Sequence, residues 1–155
     1  MPGYRWHWIA RYAWRVPRVG ELANATTTRA GLELLARRAI LDREVRREWA
    51  DRVWASWRRG KREPMLRLYR SGDPERLAGG GEHLDRLACP ALVVWGAADR
   101  YLPVRLAQEY AERLPDATVV ELEGGAHWPW LERPDAIETV ARFLDGSDPD
   151  RPGSL

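Results

Sequence analysis

The sequence predicts an α/β architecture, a helical segment followed by β-α units of a parallel sheet. Three observations carry this. Two short runs, Ala91-Leu92-Val93-Val94-Trp95 and Thr118-Val119-Val120-Glu121-Leu122, have the length and β-branched content of buried strands. Each is followed by a stretch with helical apolar spacing opened by proline, Pro103 to Leu114 and Pro134 to Leu144. The preceding 80 residues show helical periodicity and no strand-like run.

In chain order, an Arg/Trp segment from Tyr4 to Val16 is stopped by Pro17 and Gly20. Thr26-Thr27-Thr28 supplies capping hydroxyls ahead of Leu32, Leu35, Ala36, Ala39 and Ile40, which share one helical face. A second helix is expected from Asp42 to about Arg58, with Val45, Trp49, Val53 and Trp57 as an i, i+4 row. Glu48 and Arg52 form a favourably oriented ion pair on it, and Gly60 ends it. A third helix starts at Pro64 and carries Met65, Leu66, Leu68 and Tyr69, before Ser71-Gly72-Asp73-Pro74 breaks it. Gly79-Gly80-Gly81 marks a boundary. The domain organisation expected is a helical segment over 1–80, an α/β part over 81–146 and a disordered tail over 147–155.

In that α/β part, Ala91–Trp95 reads as buried on both faces. Val104, Ala107, Ala111 and Leu114 line one helix, and Ile137, Val140, Ala141 and Leu144 point inward from the last. Two parallel strands cannot make a stable sheet by themselves, so further strands must come from elsewhere, from a complementing half or from a homo-oligomer. Unpaired apolar edges predict poor solubility or self-association of the chain by itself.

Composition narrows the setting. The chain has 155 residues, 45% of them hydrophobic, enough for one core. Its preference for Arg over Lys, with much Ala and Gly, suggests a bacterial source with a GC-rich genome. The single Cys89 excludes an internal disulfide and fits a reducing, cytoplasmic setting. Arg5, His7, Arg11 and Arg15 interrupt the N-terminal aromatic stretch, which leaves no signal-peptide core, and no apolar run reaches membrane-spanning length. Residues 1–80 hold 18 Lys+Arg against 9 Asp+Glu, whereas 81–155 hold 7 against 14. That asymmetry raises binding of residues 4–18 to nucleic acid or anionic membrane. The arginines show no single-face clustering there, so neither partner is expected.

Two residues carry the chemistry. Asp99 lies four positions beyond Trp95, and His127 five beyond Leu122. Functional groups of open α/β sheets gather at the carboxyl ends of strands, where loops meet. A histidine there can act as general base while a carboxylate orients its ring. Either residue alone is more simply a turn former or a structural hydrogen-bonding group; it is the joint spacing that favours the catalytic reading.

Pro90-Ala91-Leu92-Val93-Val94-Trp95-Gly96-x-x-Asp99-Arg100-x-x-Pro103 resembles the seventh strand and acid loop of the α/β-hydrolase superfamily. Gly124-Gly125-Ala126-His127-x-x-x-x-Glu132-x-Pro134 resembles its eighth strand and histidine loop, with Ala126 where the family often has Gly. The resemblance spans residues 84–145, and residues 1–80 resemble more loosely the helical cap, with Tyr4-Arg5-Trp6-His7 just past the sixth strand. It implies a partial α/β-hydrolase fold: a cap followed by the last two β-α units of the parallel sheet. It also implies that Asp99 is the triad acid and His127 the base. The family's nucleophile elbow and oxyanion-hole loop precede the cap. No Gly-x-Ser-x-Gly occurs here, and Ser56, Ser71, Ser147 and Ser154 lack a strand–turn–helix setting. The chain reads as a C-terminal fragment, inactive by itself.

A cap rich in tryptophan (Trp6, Trp8, Trp14, Trp49, Trp54, Trp57), with Trp128 and Trp130 beside His127, suggests a small apolar substrate, though most of these rings would simply pack a core. Trp128 and Trp130 are the candidate substrate-binding residues. Ester, epoxide and haloalkane hydrolysis remain open, because the nucleophile, Ser or Asp, decides among them. The alternative is a non-catalytic remnant of the same fold that binds a partner. No cofactor is expected, and no metal, since His7, His83 and Cys89 have no partner at ligand spacing.

Overall fold

The computed structural model describes residues 7–58 and 62–147. Trp6, the helix stop expected at Gly60 and the tail beyond 147 lie outside the described residues. The chain divides into two compact units. One comprises residues up to Leu35 with Arg47–Glu82; the other comprises Ala36–Arg46 with the chain from His83 onward.

The first unit is helical. A π-helical turn at Ala10–Trp14 leads through Arg18, at φ 66°, into α1 (Val19–Thr26). Gly20 does not stop a helix, as its type suggests; it lies in the first turn of α1 and is buried. A Cβ at Gly20 would stand 2.9 Å from the Trp14 carbonyl oxygen, so close packing rather than chain reversal explains this glycine. Thr28 Oγ1 accepts the Gly31 N–H at 3.1 Å and opens α2 (Arg29–Ala36). In α3 (Arg43–Arg58), Asp42 Oδ1 caps the Glu44 and Val45 N–H groups at 2.8 and 2.9 Å, and Glu48 pairs with Arg52 at 2.9 Å. After α4 (Arg62–Ser71) the expected break is brief. Asp73 Oδ1 caps Glu75 N–H, and α5 (Pro74–Gly79) begins with proline in its first turn.

Side chains from distant positions join these helices. Trp57, 7% exposed, donates its indole N–H to the Asn24 carbonyl at 3.3 Å, and Asn24 Nδ2 donates to the Arg62 carbonyl at 3.1 Å. Trp14 packs on Tyr69 at 4.7 Å between ring centres. Arg70 forks onto Glu21 at 2.7 and 2.9 Å and holds that carboxyl down to about 2. Trp57 is therefore core, whereas Trp8 is 68% exposed.

The second unit carries the sheet. β1 (Ala91–Gly96) and β2 (Ala117–Leu122) pair in parallel, in register from Ala91 with Ala117 to Gly96 with Leu122. Between them runs α6 (Arg105–Ala111), which buries Leu106 and Ala107; β2 is followed by α7 (Pro129–Glu132) and α8 (Pro134–Asp145). Three expectations are corrected here. Ala91–Trp95 is partly exposed rather than buried on both faces, because each strand has one paired edge among the described residues. Ile137, Val140 and Leu144 are 56%, 40% and 76% exposed rather than inward; α8 buries Ala136 instead. The helix expected to reach Ile40 ends at Ala36, since Ala39 and Ile40 are buried in this second unit, and tertiary packing overrides helical spacing.

Candidate active site

The loops that carry Asp99 and His127 leave the same end of the sheet. At the exit of β1, Ala97 N–H donates to the Leu122 carbonyl at 3.0 Å and Ala98 N–H to the Gly125 carbonyl at 2.9 Å. These two bonds tie the loop bearing Asp99 to the loop bearing His127. Gly124, at φ 72°, turns the second loop through a region that side chains disfavour. Trp95 donates its indole N–H to the Leu102 carbonyl at 3.0 Å, which fixes the far side of the acid loop.

Asp99 uses both carboxylate oxygens. Oδ1 accepts the backbone N–H groups of Tyr101 and Leu102 at 2.7 and 3.0 Å, and Oδ2 meets His127 Nδ1 at 2.8 Å. The carboxylate is 5% exposed and the imidazole 26%. Burial pushes the Asp99 carboxyl upward. The His127 bond, the two backbone donors and the imidazole's charge outweigh it, so the net position is below the ordinary aspartate value. An ionised Asp99 can only accept, so His127 carries its proton on Nδ1 and leaves Nε2 with a free lone pair. That is the tautomer a general base needs.

Aromatic rings flank the imidazole. Trp128 lies at 5.6 Å between centres and Tyr101 at 5.1 Å, both tilted. The structure thus brings Asp99, His127 and Trp128 together, while Trp130 is 55% exposed and makes no ring contact among the described residues. Sequence reasoning missed Tyr101. Its signal was there to read: an aspartate whose side chain closes a turn onto residues two and three positions ahead fixes where those residues point. Burial raises the Tyr101 hydroxyl above its ordinary value, an effect that the positive charge of Arg38 opposes and Asp99 reinforces.

Ser71 Oγ donates to the Leu68 carbonyl at 3.0 Å, and Ser147 Oγ turns to Asp145. No serine among the described residues bonds His127. Nor do these residues include a cluster of three or more His, Cys, Asp or Glu able to hold a metal ion, and none of their helices is long and apolar enough to cross a membrane.

Comparison with known proteins decides the family. The Alpha/beta hydrolase family profile matches residues 2–140. The chain belongs to the α/β-hydrolase family. Pimeloyl-(acyl-carrier protein) methyl ester esterase from Chromobacterium violaceum is 34% identical over 83 residues, which are 53% of this chain and 30% of that protein. Epoxide hydrolase 1 of Caenorhabditis elegans is 32% identical over 60 residues, 38% of this chain and 15% of that protein. A solved serine hydrolase from the polyaromatic hydrocarbon-degrading bacterium Cycloclasticus zankles aligns with a TM-score of 0.65 at 17% identity. That alignment covers 81% of this chain and 48% of the other, and at such identity it speaks to fold alone. The chain spans less than half the length of each of these three proteins.

Proposed function

We propose that Asp99 and His127 are the acid and base of a hydrolytic triad that cleaves an ester-, epoxide- or haloalkane-type bond in a small apolar substrate. The observation that carries the reading is the 2.8 Å bond between Asp99 Oδ2 and His127 Nδ1, made by two loops that leave adjacent parallel strands. In this reading Nε2 of His127 accepts a proton from the attacking group, and Asp99 stabilises the imidazolium that results. Trp128 forms an apolar wall beside the base. The nucleophile and the oxyanion-hole donors come from outside residues 7–147, supplied by a preceding or complementing segment that carries a strand–turn–helix elbow.

The test is complementation. The chain is coexpressed with an N-terminal half from a family member, bearing a Ser elbow in one arm and an Asp elbow in another, and hydrolysis of nitrophenyl esters and of epoxides is followed. Activity that needs both halves and is abolished by His127→Ala supports the triad. Complexes that assemble and stay inactive in every arm favour the non-catalytic remnant instead, a binding protein of the same fold.

A further inference from the structure

Leu102 has both of its backbone groups tied. Its N–H donates to Asp99 Oδ1 at 3.0 Å, and its carbonyl accepts the Trp95 indole N–H at 3.0 Å. Tyr101, one position earlier, donates its own N–H to the same Asp99 oxygen at 2.7 Å. The backbone that carries the Tyr101 ring is therefore fixed within the acid loop. The other Asp99 oxygen meets His127 Nδ1 at 2.8 Å, so one buried carboxylate sets both the imidazole and the tyrosine beside it. The two ring centres stand 5.1 Å apart, with 49° between the planes. Trp128 brings a second ring to 5.6 Å at 41°, and its backbone N–H donates to the Ala39 carbonyl at 3.4 Å.

Aromatic rings beside a base can act on it in opposite directions. As cover they remove water and disfavour the imidazolium. As π-systems they attract a cation that lies within about 6 Å of the ring centre, and both rings lie inside that reach. The imidazole keeps 26% exposure, so it is only partly stripped of water and the first effect is incomplete. Among the described residues, the charged groups on the elements around it are already engaged or open to solvent. Asp99 is bonded to Nδ1, Arg100 is exposed, and Arg38 acts on the Tyr101 hydroxyl against the effect of burial. Glu132, at the end of α7, accepts the Asp42 N–H with Oε1, and Arg133 turns to Asp135 and the Glu123 carbonyl.

We infer that Tyr101 is a positioning residue of this site: together with Trp128 it flanks His127 with aromatic rings that favour the charged imidazole and so strengthen it as a base. The inference deepens the hydrolase reading and rests on it, because the imidazolium is the form His127 takes on accepting a proton from the attacking group. Asp99 then does two things at once. One oxygen orients the imidazole, and the turn closed by the other delivers the ring that steadies its charge.

The experiment follows the ring NMR signals of His127 through its pH titration in the folded chain. Position 101 carries in turn tyrosine, phenylalanine, a monofluorinated and a trifluorinated phenylalanine, a series of nearly one shape in which fluorine empties the negative face of the ring. The titration midpoint is expected to stay close to its original place in Tyr101→Phe and to fall step by step with fluorination. In Tyr101→Leu it should fall by about half a pH unit, the scale of one partly exposed cation–π contact. Tyr12→Leu, at a tyrosine that is 64% exposed in the first unit, is the control and leaves the midpoint unchanged. A midpoint that holds or rises in Tyr101→Leu means that the ring acts only as cover, and it overturns the inference. So does a midpoint that does not move along the fluorinated series, which decides the matter by itself if Tyr101→Leu does not fold. The hydrolase reading fails separately, through hydrolysis by the complemented protein that persists in His127→Ala, a measurement that the ring at position 101 does not decide.

Discussion

Gly96, the last residue of β1, presses against Gly125 of the histidine loop so closely that a Cβ at Gly96 would stand 2.5 Å from the Gly125 carbonyl oxygen. The Ala126 carbonyl crowds the same point. The loops bearing Asp99 and His127 are close because one of them has no side chain where they cross. Gly96→Ala must separate the backbones and break the Ala97–Leu122 and Ala98–Gly125 hydrogen bonds. The expected loss is at least about 1–3 kcal/mol, the usual range for overpacking, read from urea unfolding. A Cβ at Gly79 meets nothing nearer than Glu82 at 4.0 Å, so Gly79→Ala in α5 should be neutral or stabilise by up to about 1 kcal/mol. Equal effects at the two positions would contradict the crossing described here.

Asp99 holds a turn and a ring at once, and two substitutions separate these roles. Asp99→Asn keeps an acceptor for the Tyr101 and Leu102 N–H groups but presents an amide N–H to His127 Nδ1. The imidazole must then move its proton to Nε2, which removes the lone pair needed for base catalysis. Nitrogen-15 shifts of the ring should show that exchange of tautomer, and in a complemented, active protein the rate should fall by about 10⁴-fold. Asp99→Ala leaves two backbone donors unpaired as well and should cost a further ~1–3 kcal/mol of stability. A ring that keeps its Nδ1 proton in Asp99→Asn would remove Asp99 from the proposed role.

Much of the site was legible in the sequence because its signals are local. A strand end followed by a glycine and a carboxylate, and another followed by Gly-Gly-Ala-His, set the loops before any packing is known. The Thr28 cap and the Glu48–Arg52 pair are local in the same way. Contacts between distant segments were not legible. The stripe Ile137, Val140, Leu144 has helical spacing and predicts burial, yet spacing cannot say whether another element covers it, and among the described residues none does. Ala39 and Ile40 continue the apolar face of α2 in sequence but leave the helix, because the surface that buries them includes a loop about 90 residues further on. Glycine type was similarly ambiguous: Gly20 is a residue of close packing where a turn was expected.

The low position of the Asp99 carboxyl makes stability depend on pH with a definite sign. A carboxylate lowered by folding stabilises the folded chain above its unfolded value, near 3.8, and loses that contribution as pH falls through the lower folded value. Asp99→Asn does not titrate. The stability difference between the two proteins should be constant from neutral pH down to about pH 5 and should shrink below 3.8, as measured by urea midpoints across that range. A gap that widens on acidification would mean that the burial penalty, not the hydrogen bonds, controls Asp99.

Glu132 joins the histidine loop to residues 39–42, and its two oxygens are unequal: Oε1 accepts the Asp42 N–H, whereas Oε2 is buried with no partner in the structure. Glu132→Ala leaves the Asp42 N–H without its acceptor and should cost about 1.5–3 kcal/mol, as a bond to a charged group does. Glu132→Gln keeps the Oε1 acceptor and loses the charge, so its cost should be smaller. Hydrogen exchange distinguishes a local from a global effect. If Glu132 pins this segment, the amides of Asp42 and Trp128 should lose protection in Glu132→Ala while those of β1 and β2 keep it. Loss of protection throughout the sheet would mean instead that Glu132 supports the whole unit.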